Sequence, residues 1–391
     1  MGGERWRARL RAVDPVGRWG RLEPRRRRAL GLMAVALLVL GGAALADLHR
    51  GAAPSPARRQ GLLTGADWVS ADRGWIVLTD PGVPESALFV TEDGGSHWRR
   101  RLTGPGPLAV RRLGGGLGFV TERPGQQGGV PRLLRTTDGG GHWRALTLPG
   151  PDDAGAPFFV DADHGWLLAA GPGAGVLYRT VDGGRTWEAL PPIGDEGAGG
   201  GLEAATSLWF QDASTGWIGG SGQDGAAVVY VTHDGGRSWR GAVLAEPGSS
   251  PGGHPLQVLI PSLSRAGVGA LPVLDTASGS ARVYLSTDGG DTWKDPAPAP
   301  AAAAPVFVDG RHGWLLDGRR AWTSSDSGRH WRARAPAPAG WQFDGFLPVS
   351  ASVALARLVR AGAVPDETGP WQLVRTTDGG HSWHQVPLPR L

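Results

Sequence analysis

Short apolar runs separated by turn residues recur along most of this chain. Residues 157–190 contain four such runs, PFFV, GWLLA, VLYRT and TWEAL, with the turns DADH, AGPGAG and VDGGR between them. Runs of four or five apolar residues bounded by Gly, Asp and Pro are typical of β-strands. Four strands within about 45 residues predict one small antiparallel sheet.

An eight-residue motif, here called the octad, recurs seven times between the third and fourth runs of these units. Its pattern is [S/T]-x-D-G-G-x-[S/T/H]-W, with Ser in place of the first Gly in the sixth copy. The copies repeat at about 47 residues, a period that indicates a propeller, a solenoid or an array. The aspartates and tryptophans of the octads are Asp93, Trp98, Asp138, Trp143, Asp182, Trp187, Asp234, Trp239, Asp288, Trp293, Asp326, Trp331, Asp378 and Trp383.

Two further columns repeat with the octads. A Gly-Trp pair opens the second run at Gly74, Gly165, Gly216 and Gly313. In the second unit Phe119 replaces the tryptophan after Gly118, and the fifth and seventh units lack the pair. An apolar residue stands four positions before each octad aspartate and marks the third run: Phe89, Leu134, Tyr178, Tyr230, Tyr284, Trp322 and Val374. Residues 61–391 therefore predict an all-β, seven-bladed β-propeller of four-stranded antiparallel blades. We expect its ring to close by packing and not by an exchanged strand.

The residue types of the octad predict a structural role. An aspartate in a turn accepts hydrogen bonds from the turn's own N–H groups, and the glycines tolerate positive φ. We expect the tryptophan to start the fourth strand, to bury its ring under the hairpin and to offer its N–H to a carbonyl. Seven such hairpins would hold the outer edge of every blade.

Octads of this kind are called Asp-boxes or BNR repeats. A second pattern, F-x-D-x-x-x-G-W, runs from Phe159 to Trp166 and from Phe307 to Trp314. With the octads, it resembles the bacterial and plastid photosystem II stability/assembly-factor-like family over residues 61–391. The resemblance implies a seven-bladed propeller that works outside the cytoplasmic membrane or in the thylakoid lumen. It does not fix the activity, because sialidases, sortilin-type receptors and some endoglucanases also carry Asp-boxes.

The first 60 residues differ from the repeats. Residues 1–28 carry ten arginines against three acids, and residues 29–46 are 18 uncharged, mostly apolar residues. As a helix these 18 residues would reach about 27 Å, near the thickness of a bilayer core. The long N-terminal region favours an uncleaved signal anchor, and the alternative is a signal peptide cleaved after Ala44-Leu45-Ala46. Residues 47–60 then form a linker.

These features predict where the propeller works. The arginines before the apolar segment predict a cytoplasmic N-terminus, a single span of the cell membrane at residues 29–46 and a propeller outside, or a secreted propeller if the segment is cleaved. The chain has a net charge of +4, and residues 29–391 sum to −3, so we do not expect nucleic-acid binding. Without cysteine there are no disulfides, thiolate metal sites or cysteine nucleophile. We expect no metal and no cofactor.

The residues of known glycoside hydrolase mechanisms are not evident. A sialidase uses a tyrosine nucleophile, but the three tyrosines all occupy the repeated third-strand column, which predicts packing. The acidic pairs at residues 152–153, 195–196 and 366–367 lie in Gly/Pro-rich loops and are interpreted as solvated acids. Four histidines within octads are interpreted as turn residues that replace Ser or Thr beside the tryptophan: His97, His142, His330 and His381. We therefore predict no enzymatic activity.

The loops that vary between units predict a binding surface. They comprise residues 79–86, 122–129, 191–205, 245–255, 296–304 and 361–370, and variable loops on a rigid scaffold are common binding sites. We predict a monomeric scaffold that binds a protein partner on this rim, with a role in the assembly or stability of a membrane protein complex. The alternative is a cell-envelope glycan-binding protein or sialidase-like hydrolase, for which Trp341 and Trp371 are the candidate exposed aromatics.

Overall fold

The computed structural model describes residues 61–391 apart from residues 81, 84, 124–129, 151–154, 170–174, 194–203, 222–225, 245–255 and 363–369. The predicted basic segment, membrane anchor and linker at residues 1–60 lie outside the described residues. In the part of the chain that is described, no helix has the length and hydropathy needed to cross a bilayer.

The described strands form seven sheets that follow one another along the chain, and in six of them the neighbouring strands are consecutive in the chain. The strands of the first four blades are β1 (Leu62–Trp68), β2 (Gly74–Thr79), β3 (Glu85–Thr91) and β4 (Arg99–Pro105); β5 (Leu108–Arg112), β6 (Gly118–Glu122), β7 (Arg132–Thr136) and β8 (Arg144–Thr147); β9 (Phe158–Phe159), β10 (Gly165–Ala169), β11 (Val176–Thr180) and β12 (Glu188–Ala189); β13 (Ala204–Phe210), β14 (Gly216–Ser221), β15 (Ala227–Thr232) and β16 (Arg240–Gly241).

The last two blades repeat this arrangement, and the predicted seven-bladed propeller is confirmed. Blade six contains β23 (Val306–Phe307), β24 (Gly313–Leu316), β25 (Arg320–Ser324) and β26 (Arg332–Pro336). Blade seven contains β27 (Trp341–Pro348), β28 (Ala354–Arg360), β29 (Trp371–Thr376) and β30 (His384–Val386). The first strands of blades one, two and seven lie side by side, which places the first strands at the centre of the ring.

Blade five departs from the predicted four antiparallel strands. Its first strand is divided into β18 (Leu256–Val258) and β19 (Ser262–Leu263), because Pro261 between them has no N–H for the ladder. Both pieces pair with β20 (Gly269–Asp275), which is followed by β21 (Ala281–Ser286) and β22 (Thr292–Pro298). The connection from blade four adds β17 (Val243–Leu244), which pairs in parallel with β22 and covers the outer edge of this blade.

The ring closes by packing between blades seven and one. Each of these blades is built from one continuous stretch of chain, and no strand is exchanged between them. Three side chains donate hydrogen bonds across the joint: Trp98 to the carbonyl of Pro387 (2.7 Å), Trp371 to that of Gly61 (3.2 Å) and Arg375 to that of Ala71 (2.7 Å). Leu63, Phe89, Leu355 and Leu373 belong to one apolar cluster that spans the same joint.

The Gly-Trp column forms the inner part of the joints between blades. Trp166 stacks on Phe210 of the next blade with 3.6 Å between ring centroids, and Trp75, Trp217 and Trp314 are likewise fully buried. The glycine before the tryptophan is needed because the first-strand ring lies directly over it. A Cβ on Gly216 would come within 2.4 Å of the Phe210 ring.

This packing predicts that Gly216→Ala destabilises the propeller. The added methyl group displaces the Phe210 ring, and overpacking of this kind costs about 1–3 kcal/mol of unfolding free energy. Gly114→Ala is the matched control, because no atom lies within 4 Å of the position its Cβ would take, and its effect should stay within about 0.5 kcal/mol. Chemical denaturation of both variants measures the difference. An equal loss of unfolding free energy in the two variants would contradict the close contact between the Phe210 ring and Gly216.

Candidate functional site

Each octad brings several polar side chains together in one turn. In the second octad, the hydroxyl of Thr136 donates to Asp138 Oδ1 (2.8 Å) and accepts the N–H of Gly140 (2.9 Å). The N–H of His142 donates to the same carboxylate oxygen (2.9 Å). The same three hydrogen bonds recur in each of the other six octads.

The seventh residue of the octad occupies the second oxygen of the carboxylate. In four octads a hydroxyl group donates to Oδ2: Thr186, Ser238, Thr292 and Ser382. In the other three the ring Nδ1 of His97, His142 or His330 lies 2.6 Å from Oδ2, so these histidines do take the place of Ser or Thr. His381 differs from the expectation, because Ser382 holds that position and His381 Nε2 instead accepts from Arg334 of the preceding blade (2.8 Å).

The hydrogen bonds keep the octad carboxylates ionised. The backbone N–H of His97, followed by its ring, lowers the pKa of Asp93 to about 2. For Asp182, burial raises the pKa, but the side-chain and backbone hydrogen bonds from Thr186 outweigh burial and bring the pKa to about 2. A general acid or base works best with a pKa near the operating pH. The octad aspartates are thus poorly suited to proton transfer at neutral pH.

A further hydrogen bond joins each octad to another turn of its own blade. The N–H at the first glycine position donates to a carbonyl in the turn between the first and second strands, at 2.7–3.0 Å in all seven blades. The donors are Gly94, Gly139, Gly183, Gly235, Gly289, Ser327 and Gly379. Both glycine positions have φ between 63° and 93°, including Ser327 in the sixth copy. These two turns therefore share one end of every blade, here called the octad rim.

Each octad also packs against the preceding blade. A Cβ on Gly95 would lie 2.3 Å from Val386 of blade seven, and one on Gly290 would lie 2.4 Å from Trp217 of blade four. The sequence predicted that the octads hold the outer edges of the blades. The structure shows that the second glycine allows the octad to lie against its neighbour, so the octad is also part of the joint between blades.

The octad tryptophans are less buried than predicted. Trp239 and Trp293 are buried, whereas the other five are half-buried: Trp98, Trp143, Trp187, Trp331 and Trp383. They lie at the start of the outermost strand, and Trp143 meets Trp75 of the preceding blade edge-on with 5.8 Å between centroids. Its indole N–H donates to the carbonyl of Arg101 in that blade (3.2 Å). Of the fully buried tryptophans, Trp293 belongs to an octad, and the other four belong to the Gly-Trp column: Trp75, Trp166, Trp217 and Trp314.

Three arginines that sequence analysis missed also join the blades. Arg135, Arg179 and Arg375 stand three residues before an octad aspartate and point towards the next blade. Arg375 donates to Ala71 (2.7 Å) and Arg179 to Ala213 (3.4 Å), both carbonyls of first-to-second-strand turns. The repeated spacing R-T-x-D in three octads was the available signal.

Four equivalent positions near the centre of the ring carry a mixed cluster that the sequence did not reveal. Asp67, Arg111, Phe158 and Trp209 each stand one residue before the end of a first strand. The guanidinium of Arg111 lies 4.6 Å from the centroid of Phe158, and Phe158 lies 4.8 Å from Trp209. Burial raises the pKa of Asp67 although Arg111 opposes it. Because each of these rings and charges meets the next blade, the cluster forms part of the inner wall of the ring.

A bound metal ion and a paired serine and histidine are two common features of hydrolytic sites. Among the described residues, no group of three His, Cys, Asp or Glu side chains could bind a metal ion. A cleft of about 220 Å³ on the octad rim is lined by His233, Asp234, Ser238, Trp239 and Arg240. There the hydroxyl of Ser238 donates to Asp234 (2.5 Å), while His233 lies 3.1 Å from Asp291. Serine and histidine thus contact different carboxylates and form no nucleophile–base pair.

The candidate aromatics for glycan stacking are not exposed platforms. Trp371 is only 5% exposed, so the expectation was wrong for this residue, which opens a third strand at the ring-closing joint. Trp341 is half-buried, with the guanidinium of Arg360 4.4 Å from its centroid. Tyr230 and Tyr284 are buried, and Tyr178 is half-buried against the cluster of Leu167 and Ala169, in line with a packing role. The acidic pairs at residues 152–153, 195–196 and 366–367 lie outside the described residues.

Known structures share this architecture. YCF48 from Cyanidioschyzon merolae is 18% identical over 83% of this chain and 97% of that chain, with a TM-score of 0.52. A structure of YCF48 bound to D1 peptide is 17% identical over 82% of this chain and 94% of that chain, also with a TM-score of 0.52. The chain has the fold of YCF48.

That similarity is one of fold alone. A GH74 xyloglucanase from Xanthomonas campestris is 14% identical over 83% of this chain and 67% of that chain, with a TM-score of 0.46, too low to support an inference. No protein-family model and no curated protein sequence matches the chain. The propeller implied by the sequence resemblance is confirmed, and the activity has to be argued from the residues.

The octad carboxylates predict that stability falls in acid. Asp93, Asp182, Asp234 and Asp288 have a folded-state pKa of about 2, below the ordinary value of 3.8. Their ionised forms stabilise the fold above about pH 4, and this stabilisation is lost as the pH falls towards about 2. Thermal unfolding followed by circular dichroism should therefore show its steepest loss below pH 4. A melting temperature that is constant down to pH 2 would contradict the role of these carboxylates.

Proposed function

We propose that this chain is a non-enzymatic, extracytoplasmic propeller that binds a protein partner at the rim opposite the octads. The observation that carries the proposal is the difference between the two rims. At the octad rim, the octad carboxylates and hydroxyls are hydrogen-bonded within their own turns, and the same geometry repeats seven times. Side chains engaged in this way are poor candidates for selective recognition.

The opposite rim, here called the variable rim, consists of the second-to-third-strand turns and the connections between blades. Its turns differ in length: residues 80–84 separate β2 from β3, whereas residues 317–319 separate β24 from β25. Val83 and Val130 in two neighbouring blades are 52% and 69% exposed. Variable turns on a rigid scaffold are a common location for binding specificity.

Two further points support a protein partner. YCF48, which has the same fold, has been solved bound to D1 peptide. Of the rings proposed for glycan stacking, Trp371 is buried and Trp341 is half-buried against Arg360, and the histidine and serine of the octad-rim cleft contact different carboxylates. A monomeric scaffold that assists the assembly or stability of a membrane protein complex accounts for these features. We propose that residues 29–46 anchor it in the cell membrane with a cytoplasmic N-terminus.

The test is partner capture by the full chain from detergent-solubilised membranes of the source cells. Replacing residues 299–304 by a Gly/Ser segment of equal length, together with Val83→Ser and Val130→Ser, should reduce capture at least tenfold, because these positions lie outside the strands on the variable rim. The melting temperature should change little, since the repeated joints are untouched.

Asp138→Ala is the matched control on the octad rim. It removes the acceptor for Thr136 and His142, so it should lower the melting temperature while the folded fraction still captures the partner. Capture that survives the triple replacement, or that is lost in Asp138→Ala without loss of stability, would overturn the proposal.

A further inference from the structure

We infer that a small monovalent anion, chloride, binds in the joint between blades one and two, held by side-chain N–H groups of Arg112 and Trp75. This site is independent of the partner site on the variable rim. Two observations point to it: a charged side chain stands where the other six blades have an apolar one, and three buried N–H groups beside it have no acceptor among the described residues.

Arg112 is the exception in a column of the ring. The last residue of each first strand pairs with the first residue of the second strand of its blade. In five blades this side chain lies over the paired glycine, so that a Cβ on Gly165 would come within 2.6 Å of the Phe159 ring. In blade two the ring of Trp75, from blade one, lies over Gly118 in place of Arg112. The apolar members of the column are Trp68, Phe159, Phe210, Leu263, Phe307 and Pro348.

The guanidinium of Arg112 is buried without matching acceptors. Its side chain is 4% exposed, and Cζ lies 5.8 Å from the centroid of the Trp75 ring. The carboxylate of Glu92 lies 3.9 Å from Nη2, too far for a hydrogen bond, and is 67% exposed. Asp67 accepts the backbone N–H of Arg112 (2.7 Å) and not its guanidinium. In the described part of the chain, Nε and Nη1 therefore have no acceptor.

The indole N–H of Trp75 adds a third donor to the same joint. It is buried and has no acceptor among the described residues. The equivalent indoles of Trp166 and Trp314 each donate to a carbonyl of the next blade at 2.9 Å. Trp217 lacks a described acceptor as Trp75 does, but among the described cation–π contacts of this column only Trp75 has a guanidinium, that of Arg112.

The charge of Arg112 distinguishes an anion from a water molecule as the missing acceptor. Burial, the largest cause, lowers the pKa of Arg112, and the carboxylates of Glu92 and Asp67 do not offset it. Glu122, at the other end of this joint, is equally buried, but an arginine donates to it at 2.9 Å. A water molecule would satisfy the N–H groups and leave the buried charge, which is costly when unpaired. A halide satisfies both, and the small exposed fraction of the side chain leaves no access for a larger ligand.

Chloride should therefore stabilise the full chain. Thermal unfolding in detergent, at neutral pH and constant ionic strength, should give a melting temperature about 2–4 °C higher in chloride than in gluconate, because the ion binds only the folded joint. Arg112→Leu should abolish this difference, since Leu263 holds the equivalent position in blade five. Arg100→Met, which replaces an exposed arginine of β4, is the matched control and should keep it.

Two results would overturn the site: a melting temperature that does not depend on chloride in the unmodified chain, or a dependence that persists in Arg112→Leu. Trp75→Phe gives a second measurement that does not need the arginine variant to fold. It keeps a ring over Gly118 and removes the indole N–H, so the chloride-dependent shift should fall at least twofold. An unchanged shift in Trp75→Phe would contradict the role of the indole.

Bromide locates the ion directly. In crystals of the full chain grown with bromide in place of chloride, anomalous scattering should show a peak between the Arg112 guanidinium and the Trp75 indole. The peak should be missing in Arg112→Leu. Bromide at exposed arginines only, an adventitious ion only, would overturn the inference and assign the buried N–H groups to water.

Discussion

The hydrogen bond from the first glycine position of each octad to the turn between the first and second strands is the constraint on which the rest of the structure depends. It joins an outer hairpin to an inner hairpin of the same blade, and it recurs seven times at 2.7–3.0 Å. Positive φ at both glycine positions brings the amide into reach. The Ser or Thr hydroxyl accepts the N–H of the second glycine position. The aspartate accepts the N–H of the seventh residue, which helps to keep its carboxylate ionised.

This constraint makes the two ends of the propeller chemically different. At one end every blade repeats the same closed set of hydrogen bonds, and the second glycine lets the octad pack on the preceding blade. At the other end the turns share no pattern. The joints between blades are sealed by stacked aromatics such as Trp166 on Phe210, and the last joint adds the hydrogen bonds of Trp98 and Arg375. This chemical difference between the two ends is the reason for placing the proposed binding site on the variable rim.

The repeat period and the octad chemistry were readable from the sequence because both are local. The aspartate, the glycines and the seventh residue interact within eight positions, so the spacing alone predicted the turn. The tyrosine column was predicted as packing for the same reason, and Tyr230 and Tyr284 are buried.

Contacts between blades could not be predicted in this way, because they join residues with no fixed spacing. Trp371 stands outside the repeat columns and yet is buried, since its blade meets blade one there. Arg375 reaches a carbonyl 304 positions away in the chain. The parallel strand β17 depends on the path between blades four and five, where no repeat guides the prediction. The degree of burial of the octad tryptophans could not be predicted for the same reason, since it depends on contacts with the neighbouring blade.

Native-state hydrogen exchange at the first-glycine amides of the octads tests the central claim most directly. If these hydrogen bonds hold the blades together, the amides of Gly94, Gly139, Gly183, Gly235, Gly289 and Gly379 should exchange as slowly as amides inside the second strands, although they lie in turns. Exchange as fast as that of exposed turn residues such as Gly114 would contradict the account, because the octads would then be surface turns that the fold does not need.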